Sequence, residues 1–374
     1  MNKAAETLKA LLKVRKNFVI NKITDDNITE LQIDYWNSSM IGSKANYLGD
    51  LGIDLIILAR FEDSMAEDVL ANAETVLTLP QAFEQPLLGL VNISTNADYS
   101  KKKSKEYFQS IILHEFIHIL GFDIDNFKRM NTFVEIPTSL KYRYYINSSK
   151  VAEVARKYYN CSEMNIVPLE VSVKEGTLSS HWNARILLGD IMTEYIYPEE
   201  QVISEFTLAL LEDIGYYKAN YYTGGLMRYG KNKGCDFVSK SCVDPTSHIT
   251  KDNFENEFFD SIVSSPKYKP EYDSSCSSGR QSRTYYYFRK YDYIPEYYQY
   301  FGDNTTGGYS AAEYCPVARE EKTEVNNSYY TGSCSLKGNG DYGTQIFYKK
   351  LITVKQNVYT IEYFNTSEEL KKYK

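Results

Sequence analysis

The spacing of apolar and polar positions changes along the chain, and each spacing predicts a class of element. Residues 1–17 intersperse lysines with leucines, which predicts a short amphipathic helix. The apolar, β-branched run over 52–61 (GIDLIILARF) predicts a central strand, and 87–94 (LLGLVNIS) predicts another. Between these two strands the pattern over 64–76 favours a helix.

Three longer helical patterns follow. One runs over 102–120 and ends at Gly121, and one covers 150–159. The third runs over 204–213 and ends before Gly215. Glycine tolerates positive φ, so it is the residue expected where a helix stops and the chain turns back.

The pattern changes again beyond about residue 230. Short segments rich in Gly, Ser, Tyr and Cys alternate apolar and polar residues, as in 342–363. The sequence therefore predicts an α+β protein in three parts. The expected parts are 1–121, 122–230 and 231–374, and the last of them is expected to be a β-rich, disulfide-stapled C-terminal domain.

Composition excludes several classes of protein. Hydrophobic residues make up 43% of the chain, enough for a packed core, which argues against a disordered chain. The net charge of -7 would repel nucleic-acid phosphates, so no nucleic-acid partner is expected. No apolar stretch reaches the length of a membrane span, and the first residues do not form the apolar core of a signal peptide.

Cysteines and glycosylation triplets point to an oxidising compartment. Six cysteines are an even number, and none forms a CxxC pair. Eight N-x-[ST] triplets accompany them, and together they favour a secretory protein whose leader is missing from this chain. The cysteines are Cys161, Cys235, Cys242, Cys276, Cys315 and Cys334.

The candidate chemistry centres on the pentapeptide from His114 to His118, HEFIH. On a helix, His114 and His118 lie one turn apart on one face, so both imidazoles can bind one metal ion, with Glu115 reaching a metal-bound water. The pattern is short enough to arise by chance. Its apolar surroundings strengthen the metal interpretation, because buried His and Glu are costly without a partner.

A catalytic zinc ion normally has three protein ligands and an open position for water. In the compact form of this motif the third histidine follows the glycine by three residues, where this chain has Ile124. The next histidine is His181, and Met192 follows eleven residues later, where it can pack beneath the imidazoles. A rival site type would use Glu153 or Glu175 as the third ligand.

Two further residues have open interpretations. His248 lies in the polar segment DPTSHIT, and we interpret it as a solvated loop histidine. Asp190 follows Gly189 and precedes the candidate methionine. Its carboxylate can accept a hydrogen bond from the imidazole of a metal ligand without binding the metal itself, or it can stabilise a turn or a helix end.

These segments resemble leishmanolysin-type metallopeptidases, whose metzincin motif is interrupted by an insertion before the third histidine. The resemblance is carried by HEFIHILGF, SHWNARILLGDIMT, FTLALLEDIGYYKANY, LLGLVNIS and GLMRYGKNKGCDFVSKSC, and it covers residues from about 50 to 245. It implies one zinc ion on His114, His118 and His181, with Glu115 as the catalytic base and Met192 in the Met-turn. It also implies that 1–121 is an N-terminal catalytic subdomain ending in the zinc-binding helix and that 122–230 contains the insertion and a central subdomain.

The resemblance also implies a place and a partner. It implies endoproteolysis outside the cell or at its surface, linked to adhesion or to host and matrix proteins, with peripheral membrane association open. We expect a monomer. The chain departs from the family in having no cysteine before Cys161, so the cysteine that blocks zinc in the family's precursor and part of its usual disulfide set are missing.

The sequence thus predicts a zinc-dependent endopeptidase. Zinc would lower the pKa of its water, Glu115 would take the proton, and the resulting hydroxide would attack a peptide carbonyl. An extended substrate would pair with an edge strand such as 87–94. The alternative is an adhesion or binding module that keeps the fold with little or no hydrolysis.

Overall fold

The structure is a computed structural model, and it divides into two compact units, residues 1–239 and residues 240–374. No helix in the described part of the chain has the length and apolar character that a membrane crossing requires. The residues described are 2–15, 55–66, 69–78, 85–96, 105–130, 132–137, 142–171, 178–194, 202–221, 227, 229–240, 242, 285–286, 289–300, 304–315, 318–319, 323–325, 328–330, 347–355 and 358–364.

The amphipathic start of the chain is confirmed as a helix. Helix α1 (Asn2–Leu11) leads directly into strand β1 (Leu12–Val14), which pairs antiparallel with β9 (Tyr217–Ala219). The apolar face of the helix is buried, as its spacing requires. That face consists of Ala4, Leu8 and Leu11.

A three-stranded sheet follows. It contains β2 (Ile56–Glu62), β3 (Ala71–Thr78) and β4 (Pro86–Ser94) in the order β2-β4-β3. Strand β4 is buried along its whole length and lies in the centre. The predicted strands over 52–61 and 87–94 are therefore confirmed where the structure describes them, from residue 55 onward. Among the described strands the first lies at an edge and the second in the centre, the reverse of the prediction.

The helix predicted over 64–76 is wrong, because Ala71–Thr78 is a strand. It pairs antiparallel with β4, with Ala73 opposite Val91 and Thr75 opposite Gly89. Over 71–75 exposure alternates from one residue to the next, as a strand with one packed face requires. The tertiary partner decides this segment, since burial against neighbours outweighs local propensity.

Helix α2 (Lys105–Ile119) lies against this sheet and confirms the helical pattern read over 102–120. Gly89 on β4 permits the close approach, since a Cβ there would overlap the Ile119 side chain. The helix ends at Gly121, whose φ is +120°. There the Phe122 N–H donates to the Ile117 carbonyl, which closes the last turn.

A second sheet lies within residues 133–182. Its four antiparallel strands have the order β5-β6-β7-β8, where β5 is Phe133–Pro137, β6 is Tyr142–Ile146, β7 is Val167–Val171 and β8 is Leu178–Trp182. The predicted helices over 150–159 and 204–213 are confirmed. The elements are α3 (Ile124–Arg129), β5 (Phe133–Pro137), β6 (Tyr142–Ile146), α4 (Ser149–Tyr159), β7 (Val167–Val171), β8 (Leu178–Trp182), α5 (Ala184–Leu187), α6 (Glu205–Asp213) and α7 (Gly234–Ser239).

Two disulfides join residues distant in sequence. Cys161 bonds to Cys235 within the first unit, and Cys242 bonds to Cys315 within the second. Cys276 and Cys334 lie outside the described residues.

The described residues of the second unit form strands that all lie in antiparallel pairs, together with two turns of 3₁₀ helix at Glu296–Tyr298 and Ser310–Ala312. The longest pair is the hairpin formed by Phe347–Lys355 and Val358–Phe364, which overlaps the alternating segment 342–363. The strands are β10 (Tyr285–Tyr286), β11 (Arg289–Lys290), β12 (Thr306–Gly307), β13 (Ala318–Arg319), β14 (Thr323–Val325), β15 (Ser328–Tyr330), β16 (Phe347–Lys355) and β17 (Val358–Phe364).

Candidate metal centre

Helix α2 presents two histidines from adjacent turns. The Nε2 atoms of His114 and His118 lie 3.0 Å apart, with the rings in an edge-to-face arrangement. Almost all of this part of the helix is buried, and Glu115 between the two histidines is only 5% exposed. The helical spacing read from the sequence therefore produces the predicted convergence of the two imidazoles.

His181 joins them from strand β8. Its Nε2 atom lies 3.1 Å from that of His114, and one nitrogen from each ring lies within 4.8 Å of the others. Tetrahedral zinc with ligands at roughly 2.0–2.1 Å holds its nitrogens about 3.3–3.4 Å apart. The spacing of these three donors and their chemistry therefore fit a zinc ion. This is the only group of three or more candidate metal ligands in the described part of the chain.

Backbone carbonyls fix two of the rings from behind. His114 Nδ1 lies 2.6 Å from the Ile191 carbonyl oxygen, and His118 Nδ1 lies 2.8 Å from that of Phe122. A carbonyl can only accept, so each ring carries its hydrogen on Nδ1. The Nε2 lone pairs of both rings are then free to bind a metal ion.

The outer nitrogen of His181 has different neighbours. His181 Nδ1 lies 2.7 Å from the Ser179 hydroxyl oxygen and 3.5 Å from the Glu170 carboxylate oxygen Oε2. Sequence reasoning did not select either residue. A single carboxylate within the apolar strand pattern VPLEVSV was the available signal, because an isolated buried acid is unusual in such a strand.

Burial keeps the imidazoles neutral. It lowers the pKa of His118 to about 3 and that of His181 to about 4, and it lowers the pKa of His114 well below its ordinary value. The neighbouring imidazoles add to the lowering at His114 and His118, because two positive rings repel each other. Neutral imidazole is the form that binds zinc.

Burial acts in the opposite direction on the two acids beside the histidines. It raises the pKa of Glu115 to about 8. It raises that of Glu170 to about 7, against a hydrogen bond with the Glu194 side chain that lowers it. A cation on the histidines would favour both carboxylates. Glu115 is thus a basic carboxylate beside the candidate metal ligands, as general-base chemistry requires.

Asp190 organises the turn that contains Met192. Its fully buried carboxylate accepts hydrogen bonds from the backbone N–H groups of Met192 (2.6 Å) and Ser204 (3.2 Å) and from the Thr207 hydroxyl. The turn interpretation is therefore the correct one of the two proposed from sequence. The carboxylate that lies beside a ligand-type imidazole belongs to Glu170 instead.

The turn links the metal helix to the strand of the third histidine. The Ile191 carbonyl accepts from His114, and the Met192 carbonyl accepts from the backbone N–H of Trp182, which follows His181 (2.8 Å). Both contacts use backbone atoms. The Met192 side chain is fully buried.

Met192→Leu is expected to keep measurable proteolytic activity and bound zinc while losing some stability. The turn's hydrogen bonds use backbone atoms that leucine keeps, and a swap of similar volume costs less than about 1.5 kcal/mol. Asp190→Asn is the contrasting variant, with an expected loss of about 1.5–3 kcal/mol, since one buried carboxylate accepts several hydrogen bonds. Thermal melts, zinc analysis and a protease assay measure both. Complete zinc loss in Met192→Leu would make Met192 more than structural.

The rival ligands fall outside this cluster or outside the described residues. Glu153 is exposed on α4 and does not belong to the group of candidate ligands. Glu175 and His248 lie outside the described residues.

The sequence matches known proteins along most of its length. The family model described as leishmanolysin matches residues 1–345. A leishmanolysin-like peptidase of Caenorhabditis briggsae is 27% identical over 322 residues, covering 71% of this chain and 48% of that protein. Leishmanolysin of Leishmania major is 26% identical over 275 residues, covering 72% and 41%. A leishmanolysin homolog of Crithidia fasciculata is 30% identical over 241 residues, covering 62% and 34%.

In each of these three pairs the match covers less than half of the relative's length. The family model nevertheless spans well over half of this chain, and it includes the histidine cluster. The resemblance predicted from HEFIHILGF and SHWNARILLGDIMT is confirmed, and the chain belongs to the leishmanolysin family.

Proposed function

We propose that this protein is a zinc-dependent metalloendopeptidase that hydrolyses peptide bonds of protein substrates. One observation carries the proposal: three neutral imidazoles from two elements converge on one point, and a buried carboxylate lies between two of them in sequence. A purely structural zinc site would have a closed ligand shell and no need of a base. Membership of the leishmanolysin family supports the same conclusion.

Each residue of the site has a separate task. His114, His118 and His181 would hold the zinc ion, which would supply Lewis acidity to a water molecule and to the substrate carbonyl. Glu115 would accept a proton from the water and deliver it to the leaving amine. The turn that contains Met192 connects helix α2 to the end of strand β8 through the backbone carbonyls of Ile191 and Met192.

The substrate is not expected to pair with 87–94, because that strand is the centre of its sheet. We place the extended substrate along β3 instead. Among the described strands, β3 pairs on one side only, and its Thr75 hydroxyl donates to the Ile119 carbonyl at the end of the metal helix (3.3 Å). An edge strand offers the backbone groups that an extended peptide needs.

We also propose an extracellular or cell-surface location. The two disulfides, Cys161–Cys235 and Cys242–Cys315, support it, because such bonds persist in oxidising compartments. Protein or peptide substrates follow from the proposed chemistry. A monomeric state and peripheral membrane association stay predictions from the sequence.

Cleavage of an unstructured protein tests the function. Purified protein is incubated with it alone, with a zinc chelator, and with chelator followed by excess zinc. We expect cleavage that the chelator abolishes and zinc restores. A Glu115→Gln preparation purified in parallel controls for contaminating proteases. Absence of chelator-sensitive cleavage would favour the adhesion or binding module.

A further inference from the structure

A buried carboxylate lies behind the third histidine, and the proposed mechanism gives it no task. Glu170 on β7 is only 5% exposed. Its Oε2 atom has no hydrogen-bond partner among the described residues, yet it lies 3.5 Å from His181 Nδ1. Burying a carboxylate in this way is costly, so its position beside a candidate zinc ligand calls for a physical reason.

The three histidines differ in what fixes their outer nitrogen. Nδ1 of His114 and Nδ1 of His118 each contact a backbone carbonyl, which only accepts and therefore places the hydrogen on Nδ1 of each ring. Behind His181 stands the Ser179 hydroxyl, which can donate or accept equally well. With Ser179 alone, His181 could carry its hydrogen on Nε2. That tautomer would direct an N–H group at the other two Nε2 atoms and leave no lone pair for a metal ion.

We propose that Glu170 is the positioning residue that holds His181 in the Nδ1–H tautomer and orients its Nε2 lone pair toward the metal site. The inference rests on the proposed function as a zinc peptidase. A carboxylate only accepts, and a cation on the histidines favours that form of Glu170, so Glu170 supplies the direction that the Ser179 hydroxyl lacks. An anion behind a ligand imidazole also makes the ligand more basic and strengthens metal binding.

The fold explains why this histidine needs such a partner. His114 and His118 belong to one helix, so their separation is fixed by helical geometry. His181 comes from a strand of the insertion and has no such constraint. Strands β7 and β8 pair antiparallel, with Leu169 opposite Trp182, which holds Glu170 beside His181. The exposed residue Glu194 hydrogen-bonds the Glu170 side chain, and its charge also acts on His181, whose pKa it raises against the effect of burial.

Zinc affinity measured by chelator competition tests the proposal on the full chain. Glu170→Gln keeps the size of the side chain and removes the charge, and we expect zinc to bind about 10- to 100-fold more weakly. Glu212→Gln is the matched control. Glu212 is a buried acid, 8% exposed, that contacts Arg15, Lys150 and Tyr221, so its loss should lower stability and leave zinc affinity unchanged.

A second readout follows the tautomer itself. Long-range ¹H–¹⁵N spectra of the metal-free protein, recorded at a pH above the raised pKa of Glu170 of about 7, should show His181 protonated on Nδ1 in the parent and a mixture of tautomers in Glu170→Gln. A role in packing alone would leave this signature unchanged. If Glu170→Gln does not fold, Glu170→Asp keeps an accepting carboxylate and should keep the Nδ1–H form.

The outcomes separate this inference from the proposed function. A parent that binds zinc tightly, with Glu170→Gln equal to it in affinity and tautomer, would overturn the role of Glu170 and leave the peptidase proposal intact. Nε2–H at His181 in the parent or in Glu170→Asp would also overturn it. A parent that binds no zinc would refute the proposed function, and the tautomer spectra would still decide the role of Glu170.

Discussion

Replacing Glu115 by glutamine is expected to leave zinc bound while the rate of peptide hydrolysis falls by about two to four orders of magnitude. Glutamine has nearly the same size, so the buried helix keeps its packing and the three histidines keep their positions. The amide cannot take a proton from water. The loss should therefore appear in kcat and not in metal content.

Zinc content and steady-state kinetics on an unstructured substrate measure both parts of this prediction. Glu153→Gln is the matched control, because it makes the same change at an exposed position on α4 and should leave kcat unchanged. Near-parental activity in Glu115→Gln would refute the assignment of Glu115 as the base. Loss of zinc in that variant would make Glu115 part of the ligand set instead.

Replacing His181 by alanine is expected to lower zinc affinity by orders of magnitude. His181 supplies the only Nε2 atom from outside the metal helix in the cluster, 3.1 Å from that of His114. Its removal would leave two protein ligands, one fewer than a catalytic zinc site normally has. Proteolysis should fall with the metal content, and excess zinc should restore it only in part.

Three matched variants isolate this effect. His248→Ala removes a histidine predicted to lie in a solvated loop, and Glu153→Ala and Glu175→Ala remove the rival ligands. All three should keep the zinc content of the parent. Full zinc occupancy in His181→Ala, together with loss in either glutamate variant, would overturn the three-histidine assignment and favour the rival site type.

Local sequence determined the helices, because the backbone hydrogen bonds of a helix lie within its own segment. The helix ending at Gly121 follows from an apolar run with a glycine stop, and its two histidines must share a face because their spacing is one turn. Helices α4 and α6 followed from the same kind of pattern. The family followed from the long segments around the histidines. In these segments local propensity and tertiary burial favour the same structure.

Only the tertiary structure decided the questions that depend on distant partners. Residues 71–78 form a strand because β4 supplies the backbone hydrogen-bond partners, and 87–94 lies in the centre because strands pair on both of its sides. The tasks of Asp190 and Glu170 depend on which donors the folded chain brings to each carboxylate. Periodicity reports which face of an element is buried, whereas the partner of that face is set by packing between segments far apart in sequence.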